Sequence, residues 1–367
     1  MSFIKTVQKY TPPPNRDIGD WGTVEETKAR ELQHHLDDLV NRLGLVGVQV
    51  SLKTPGGGIW HGAGGTADWR RRIPLTTNHI MRIASTTKLF TSVTTLSLVD
   101  NGLLRMDEPI NRWLPHFPRG DQITIAMLLS HTSGIGHPPF TLKVKLRLLF
   151  SRNLFTLDEL VALAADTPFY DTPGGSHRYS NANHHLLGAI AQAATGRTIA
   201  DLVDETILAR LHLSQTVLLP FRSPPKNLIS GWDNIYTPSL YPFEVKPTNT
   251  ILASHASTSG GMVSTARELL VFIDGLFAEK LVSASLLTQM SDVKACHEPA
   301  FHHTGYGIGL FRIGIDGIDY LGHLGLFVGS QALVIFSPTS GGAMAVVGNL
   351  SESRVFDIAA QFAAEIR

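Results

Sequence analysis

Ser85 and Lys88, three residues apart in IASTTKLF, are a pair whose types and spacing could do covalent chemistry. On a helix that spacing puts both side chains on one face. A serine hydroxyl attacks an acyl carbon well only when a neighbouring base takes its proton. A lysine can be that base where burial lowers its pKa enough to leave the amine neutral. Ser85 also stands where a helix should open, so free backbone N–H groups and the positive dipole end would favour negative charge developing beside it. Such a pair recurs by chance in many proteins, so alone it reads more readily as a serine starting a helix and a solvated lysine on its outer side.

Two further clusters bear on that choice. HRYSNANHH carries Tyr179 and Asn181 after the turn-forming DTPGGS. A phenol and an amide side by side could relay a proton and hold a carbonyl, or simply launch a helix near Asn183. GHLG, Gly322 to Gly325, lies within a strand-like run. Glycine inside a strand often marks close approach of a backbone or ligand, although His323 there could be an ordinary core residue.

Taken together, the three clusters resemble the signature of the serine β-lactamase and penicillin-binding-protein family. The branch concerned holds class C β-lactamases, D-Ala-D-Ala carboxypeptidases, D-aminopeptidases and β-lactamase-like carboxylesterases. Tyr-x-Asn and His-x-Gly stand where a sister branch has Ser-Asp-Asn and Lys-Thr-Gly. ITIAMLLSHTSGI (123–135), YSNANHHLLGAI (179–190), SGGMVSTARELLVFI (259–273) and GHLGLFVGSQALV (322–334) resemble that branch too. The resemblance runs from about residue 25 to the end and is weakest over 136–170 and 215–250.

The resemblance implies that Ser85 forms an acyl-enzyme, Lys88 accepts its proton, and Tyr179 carries a proton to the leaving group. It implies an oxyanion hole from the backbone N–H groups of Ser85 and Leu326. Asn181 would touch the acyl side chain or orient Lys88, and His323 would sit beside Tyr179. It implies no cofactor and no metal. Relatives bind a substrate carboxylate through hydroxyl residues in and after the third motif, where this chain has Leu324 and Leu326. That points to small neutral esters or amides over β-lactams, with Arg312 as a cation that could meet a carboxylate from another side. The fold also hosts penicillin sensors and silent scaffolds, so a binding protein is the alternative function.

The elements that must position these residues can be read from periodicity. From Val24 a helix should run to Gly44, with Leu32, Leu36, Leu39 and Val40 on one side. VGVQVSLKT and GIWHGAGG alternate like two strands. A helix over 86–102 should follow the serine, and helical patches over 157–166 and 182–195 fill the middle. A helix over 264–277 leads to four strand-like runs, YGIGLFRIGI, IDYLGHLG, SQALVIFSP and GAMAVVGNL, and to a closing helix over 353–366. The expected class is α+β, of the β-lactamase/transpeptidase type. An antiparallel sheet comes from both chain ends, with flanking helices and a mainly helical inserted subdomain. The division is an extended lead-in (1–20), a sheet domain (21–115 and 256–367) and a helical subdomain (116–255), with the site between them.

Bulk properties exclude other classes. Thirty-one basic residues balance 31 acidic ones, so no global field draws the chain to nucleic acid. The lone Cys296 excludes an internal disulfide. No run of about 18 apolar residues suggests a membrane span, and the start lacks a signal-peptide core, so the expected location is cytoplasmic. Glycine-flanked Gly-x-Ser-x-Gly, phosphate loops and His-Glu-x-x-His are missing. HEPAFHH (297–303) reads as a solvated loop because its spacing fits no standard metal site. TLKVKLRLLF (141–150) could lie on a membrane surface. The favoured reading packs Leu142, Leu146 and Leu149 inward beside the active-site mouth. The partners expected are thus small esters, amides or β-lactams, and oligomeric state stays open.

Overall fold

A computed structural model describes residues 21–70, 72–138, 141–151, 153–219, 221–234, 243–247, 249–296 and 303–367. The lead-in 1–20 and residues 297–302 of HEPAFHH therefore lie outside the described residues. The centre is a nine-stranded sheet: β1 (Gly22–Thr23), β2 (Gly47–Lys53), β3 (Gly58–Gly65), β4 (Lys294–Ala295), β5 (His303–Tyr306), β6 (Phe311–Ile315), β7 (Ile318–Phe327), β8 (Ser330–Phe336) and β9 (Ala343–Gly348). Its order is β1-β3-β2-β9-β8-β7-β6-β5-β4, and only β1 and β3 run parallel. The sheet is thus made from both ends of the chain, as the strand-like runs predicted. The two short strands β4 and β5 lie in a stretch without apolar alternation and were not expected.

Side chains alternate between the faces, so each register row sorts residues into one layer. Trp60, Leu52, Met344 and Ile335 form one row. They pack under α1 (Glu26–Leu43) and the closing helix α8 (Val355–Phe362), where Phe362 stacks on Trp60 at 5.7 Å between centroids. Gly44 ends α1 in the left-handed conformation, φ 66°, which glycine adopts without strain.

The opposite face carries Ala343, Phe336 and Leu321, covered by α2 (Thr87–Asp100) and α7 (Ala266–Phe277). Phe277 stacks on Phe336 at 4.0 Å and Phe272 on Phe90 at 3.8 Å. Removing a side chain such as Phe90 from water contributes roughly 1.5–3 kcal/mol. Every residue of α2 from Thr87 to Leu98 is buried, not only its leucine side. Hydroxyls on the far side bond to carbonyls instead of water: Thr91 to Thr258 at 2.7 Å and Thr95 to Thr91 at 2.9 Å. The far side of α2 meets α5 (Asn181–Thr195) and α6 (Thr250–Gly260).

Between α2 and α5 come α3 (Leu142–Phe150) and α4 (Leu157–Ala165). Short strands Met81–Arg82, Met262–Ser264 and Val217–Leu218 form a second small sheet. Strands this short leave no periodicity to read. One expectation fails here. Val144 and Leu148 pack α3 inward, whereas Leu142 and Leu146 are 71% and 46% exposed. The helix has two apolar sides, and spacing alone does not say which one is covered. The side chain of Leu149 lies outside the described residues.

Candidate active site

Ser85 sits in a single tight turn, Ala84–Thr86, that runs into α2. Three contacts fix that turn. Ile83 N–H donates to Met262 O at 3.1 Å, tying the approach to the small sheet. Thr87 Oγ1 donates to Ala84 O at 2.7 Å and accepts from Met262 N–H at 3.0 Å. Ala84 is held at φ 49°, a left-handed conformation that costs a non-glycine residue free energy. The serine thus stands half-buried on a strained strand-to-helix corner.

The corner is pressed against β7. The ladder between β6 and β7 ends at Phe311–Gly322. Past that point β7 keeps β8 on one side and turns its other edge to the serine corner. The contact requires glycine: a Cβ on Gly325 would lie 2.3 Å from Ile83 O and 3.0 Å from Thr86 N. This is the close backbone approach that the glycines of GHLG predicted.

Lys88 is fully buried one turn after Ser85. Its Nζ lies 3.1 Å from Ser85 Oγ and donates to Ser259 O at 2.7 Å. Among the described residues no carboxylate pairs with it. Burial holds its pKa well below the usual lysine value. The Tyr179 ring lies 4.7 Å from Nζ and would favour a charged amine by up to ~2 kcal/mol, less than the several kcal/mol lost on leaving water. Burial therefore outweighs the ring and lowers the pKa of the amine.

Tyr179 is held by a cluster that sequence reasoning left without a role. Its ring lies 4.6 Å from that of His131 and 6.2 Å from Phe311. His131 Nδ1 accepts from Ser180 N–H at 3.2 Å and from Asn183 Nδ2 at 2.7 Å, and Ser133 Oγ donates to Asn183 Oδ1 at 2.6 Å. Two donors on Nδ1 place the ring proton on Nε2. Burial chiefly holds the pKa of His131 well below the ordinary value, and a proton on it would also be opposed by one on His184 or His177. His131 and Ser133 stand in the SHTSG stretch noted as family-like; that text was the one available signal.

Asn181 opens α5 rather than preceding it, because Ser180 caps the helix by accepting Ala182 N–H at 3.3 Å. Its Nδ2 is 3.4 Å from His137 Nε2, and its Oδ1 is buried without a hydrogen-bond partner. His185 Nε2 lies 3.0 Å from Ser259 Oγ, bracing the residue whose carbonyl takes Lys88.

His323 is fully buried on the α2 side of β7, and its Nδ1 donates to Leu324 O at 2.8 Å. Phe311 packs edge-on against it at 4.7 Å and also faces Tyr179. Leu324 alternates to the other face and packs beside the α1–α8 layer. Leu326, next after Gly325, is 37% exposed at the open edge. Arg312 pairs with Leu321 on the His323 face, with Nη2 3.5 Å from Thr304 O and Nε without a hydrogen-bond partner. Cys296 is half-buried beside the α1–α8 layer and, as the single cysteine, forms no internal disulfide. Among the described residues no cluster of His, Cys, Asp and Glu could hold a metal, and no helix is long and apolar enough to cross a membrane.

Comparison with known proteins bears on the family and the fold. The family model described as Beta-lactamase matches residues 32–367. The chain is 34% identical over 199 residues to Esterase EstB of Burkholderia gladioli, a likeness spanning 50% of each protein. It is 28% identical over 299 residues to Penicillin-binding protein 4 of Amycolatopsis lactamdurans, covering 76% of this chain and 74% of that one. The solved D-amino acid amidase of Ochrobactrum anthropi SV3 superposes with a TM-score of 0.83 at 28% identity, over 92% of this chain and 97% of that one.

Proposed function

This chain belongs to the β-lactamase family of serine hydrolases, and from that premise we propose that Ser85 is acylated by small uncharged esters or amides and then released by water. One observation carries the reading: a fully buried lysine amine 3.1 Å from Ser85 Oγ, with no carboxylate among the described residues to keep it charged.

The neutral amine donates one N–H to Ser259 O and keeps its lone pair for the serine proton. Ser85 Oγ attacks the acyl carbon as that proton passes to Lys88 Nζ. The carbonyl oxygen gains charge between the backbone N–H groups of Ser85 and Leu326. As the bond to the leaving group breaks, Tyr179 delivers a proton to it and is resupplied from Lys88. Water then attacks the acyl-enzyme, gives its proton to the Lys88–Tyr179 pair, and Ser85 Oγ leaves with a proton. Lys88 Nζ lies 4.7 Å from the centroid of the Tyr179 ring, close enough for proton movement at the two groups to be coupled. The buried Oδ1 of Asn181 supports a role in accepting an N–H from the acyl side chain. His131, Asn183 and Phe311 would keep the Tyr179 ring in place, with His323 supporting it through Phe311. The sheet layers and the helices between α2 and α6 would act as two subdomains with the site at their seam.

Turnover of p-nitrophenyl butyrate tests this, with D-phenylalanine amide as the amide counterpart. Steady release of product from either supports the hydrolase. A single stoichiometric burst would mean a covalent sensor, and no reaction with any ester, amide or β-lactam would mean a silent binding protein.

A further inference from the structure

α3 is a nine-residue helix with two opposed apolar sides. At about 100° per residue, Val144 and Leu148 point roughly opposite to Leu142 and Leu146. The inner pair joins the cluster of Phe155, Leu160 and Ile251. The outer pair is exposed, at 71% and 46%, and Leu154 beyond the helix is 38% exposed. Lys145 is exposed beside the outer pair. Arg147, by contrast, anchors the helix inward: it forks onto Glu159, donates to Leu154 O at 2.5 Å and stacks on Phe155 at 3.9 Å. Fixed by Arg147 and its inner leucine, α3 presents the outer leucines as a rigid ridge.

The geometry points to an anionic lipid surface as the occupant of that ridge, with Leu142 and Leu146 entering the headgroup boundary and Lys145 meeting the lipid phosphates. The charge decides between occupants. A two-fold contact centred on the ridge would bring Lys145 near its own counterpart. An anionic bilayer offers apolar depth for the leucines and negative charge at the level of the ammonium. The location also fits. His137, which touches Asn181, lies five residues before Leu142, so the ridge begins within about 17 Å of that contact. A docked protein would open its site close to the surface, where acyl chains are concentrated. The inference does not depend on which substrate is hydrolysed.

Co-sedimentation of the full chain with lipid vesicles tests it. Vesicles of phosphatidylcholine with about a third phosphatidylglycerol should bind at least tenfold more protein than pure phosphatidylcholine, and high salt should release it. Leu142→Glu with Leu146→Glu should cut binding at least tenfold with unchanged melting temperature, since both sites are exposed. Lys145→Glu should weaken binding to the anionic vesicles alone. Equal binding by wild type and the leucine variant, or no binding to the anionic vesicles, overturns the proposal. A concentration-dependent dimer that the same variant abolishes would assign the ridge to a second copy and overturn it too.

Discussion

Lys88 Nζ rests on the carbonyl oxygen of Ser259 at 2.7 Å, a neutral acceptor where a structural lysine would have a carboxylate. A carbonyl fixes the amine without charging it. Activity should therefore rise from acid toward neutral or mildly alkaline pH as the Lys88–Tyr179 pair loses a proton. Lys88→Arg should lose ~10² or more in kcat/KM, because a guanidinium stays charged and cannot take the serine proton. A rate already on its plateau at pH 5, or an arginine variant within tenfold of wild type, would contradict a neutral lysine base.

Tyr179→Phe keeps the ring against His131 and Phe311 and deletes only the hydroxyl. It should cost ~10² in kcat/KM at unchanged melting temperature. A loss below tenfold would leave Tyr179 a packing residue.

Gly325→Ala tests the pressed contact between β7 and the serine corner. The added methyl meets Ile83 O at 2.3 Å, so strand or corner must shift. Overpacking of this kind costs about 1–3 kcal/mol. The variant should melt lower and lose at least tenfold in kcat, whereas wild-type kinetics would mean that the strand edge does not set the serine's position.

Acid should destabilise the fold over a defined window. His177 and His255 are held to about 4 and His185 to about 3, each chiefly by burial, while His131 and His184 are also pushed well down. Unfolded histidines titrate near 6.5. Between those values the unfolded chain binds more protons, so stability is full above pH ~6.5 and falls as pH drops towards ~4. Each such group contributes a slope of roughly 1.4 kcal/mol per pH unit. Melting temperatures from pH 7.5 to 4.5 read this, and His185→Gln should flatten the fall. A flat profile would mean that these rings are already charged in the fold.

Substrate preference follows from the third motif. Neither Leu324 nor Leu326 carries a side-chain donor for a carboxylate, and desolvating an unpaired carboxylate is costly. The kcat/KM for p-nitrophenyl butyrate should exceed that for a chromogenic cephalosporin by a wide margin. A cephalosporin value equal to the ester's would show that another group, Arg312 first among them, supplies the missing donor.

The layers were legible because α1, the strands and α8 each carry an apolar period that matches their element. Ser85, Lys88, Tyr179, Asn181 and His323 were singled out by spacing and family likeness. What holds them was not. His131 and Asn183 meet across 52 residues, and no local pattern records that. The apolar period of α2 marks only one side for burial, yet the hydroxyls of Thr91 and Thr95 on the other bond to carbonyls and stay buried. In α3 both apolar sides satisfy a helical period, so the reading chose the wrong one to bury.

The most direct test is covalent labelling with a fluorophosphonate, followed by peptide mass mapping. Ser85 alone should carry the adduct, labelling should speed up with pH alongside ester turnover, and Ser85→Ala should abolish both. An adduct on any other serine, or labelling and turnover that survive Ser85→Ala, would contradict the assignment of Ser85 as nucleophile.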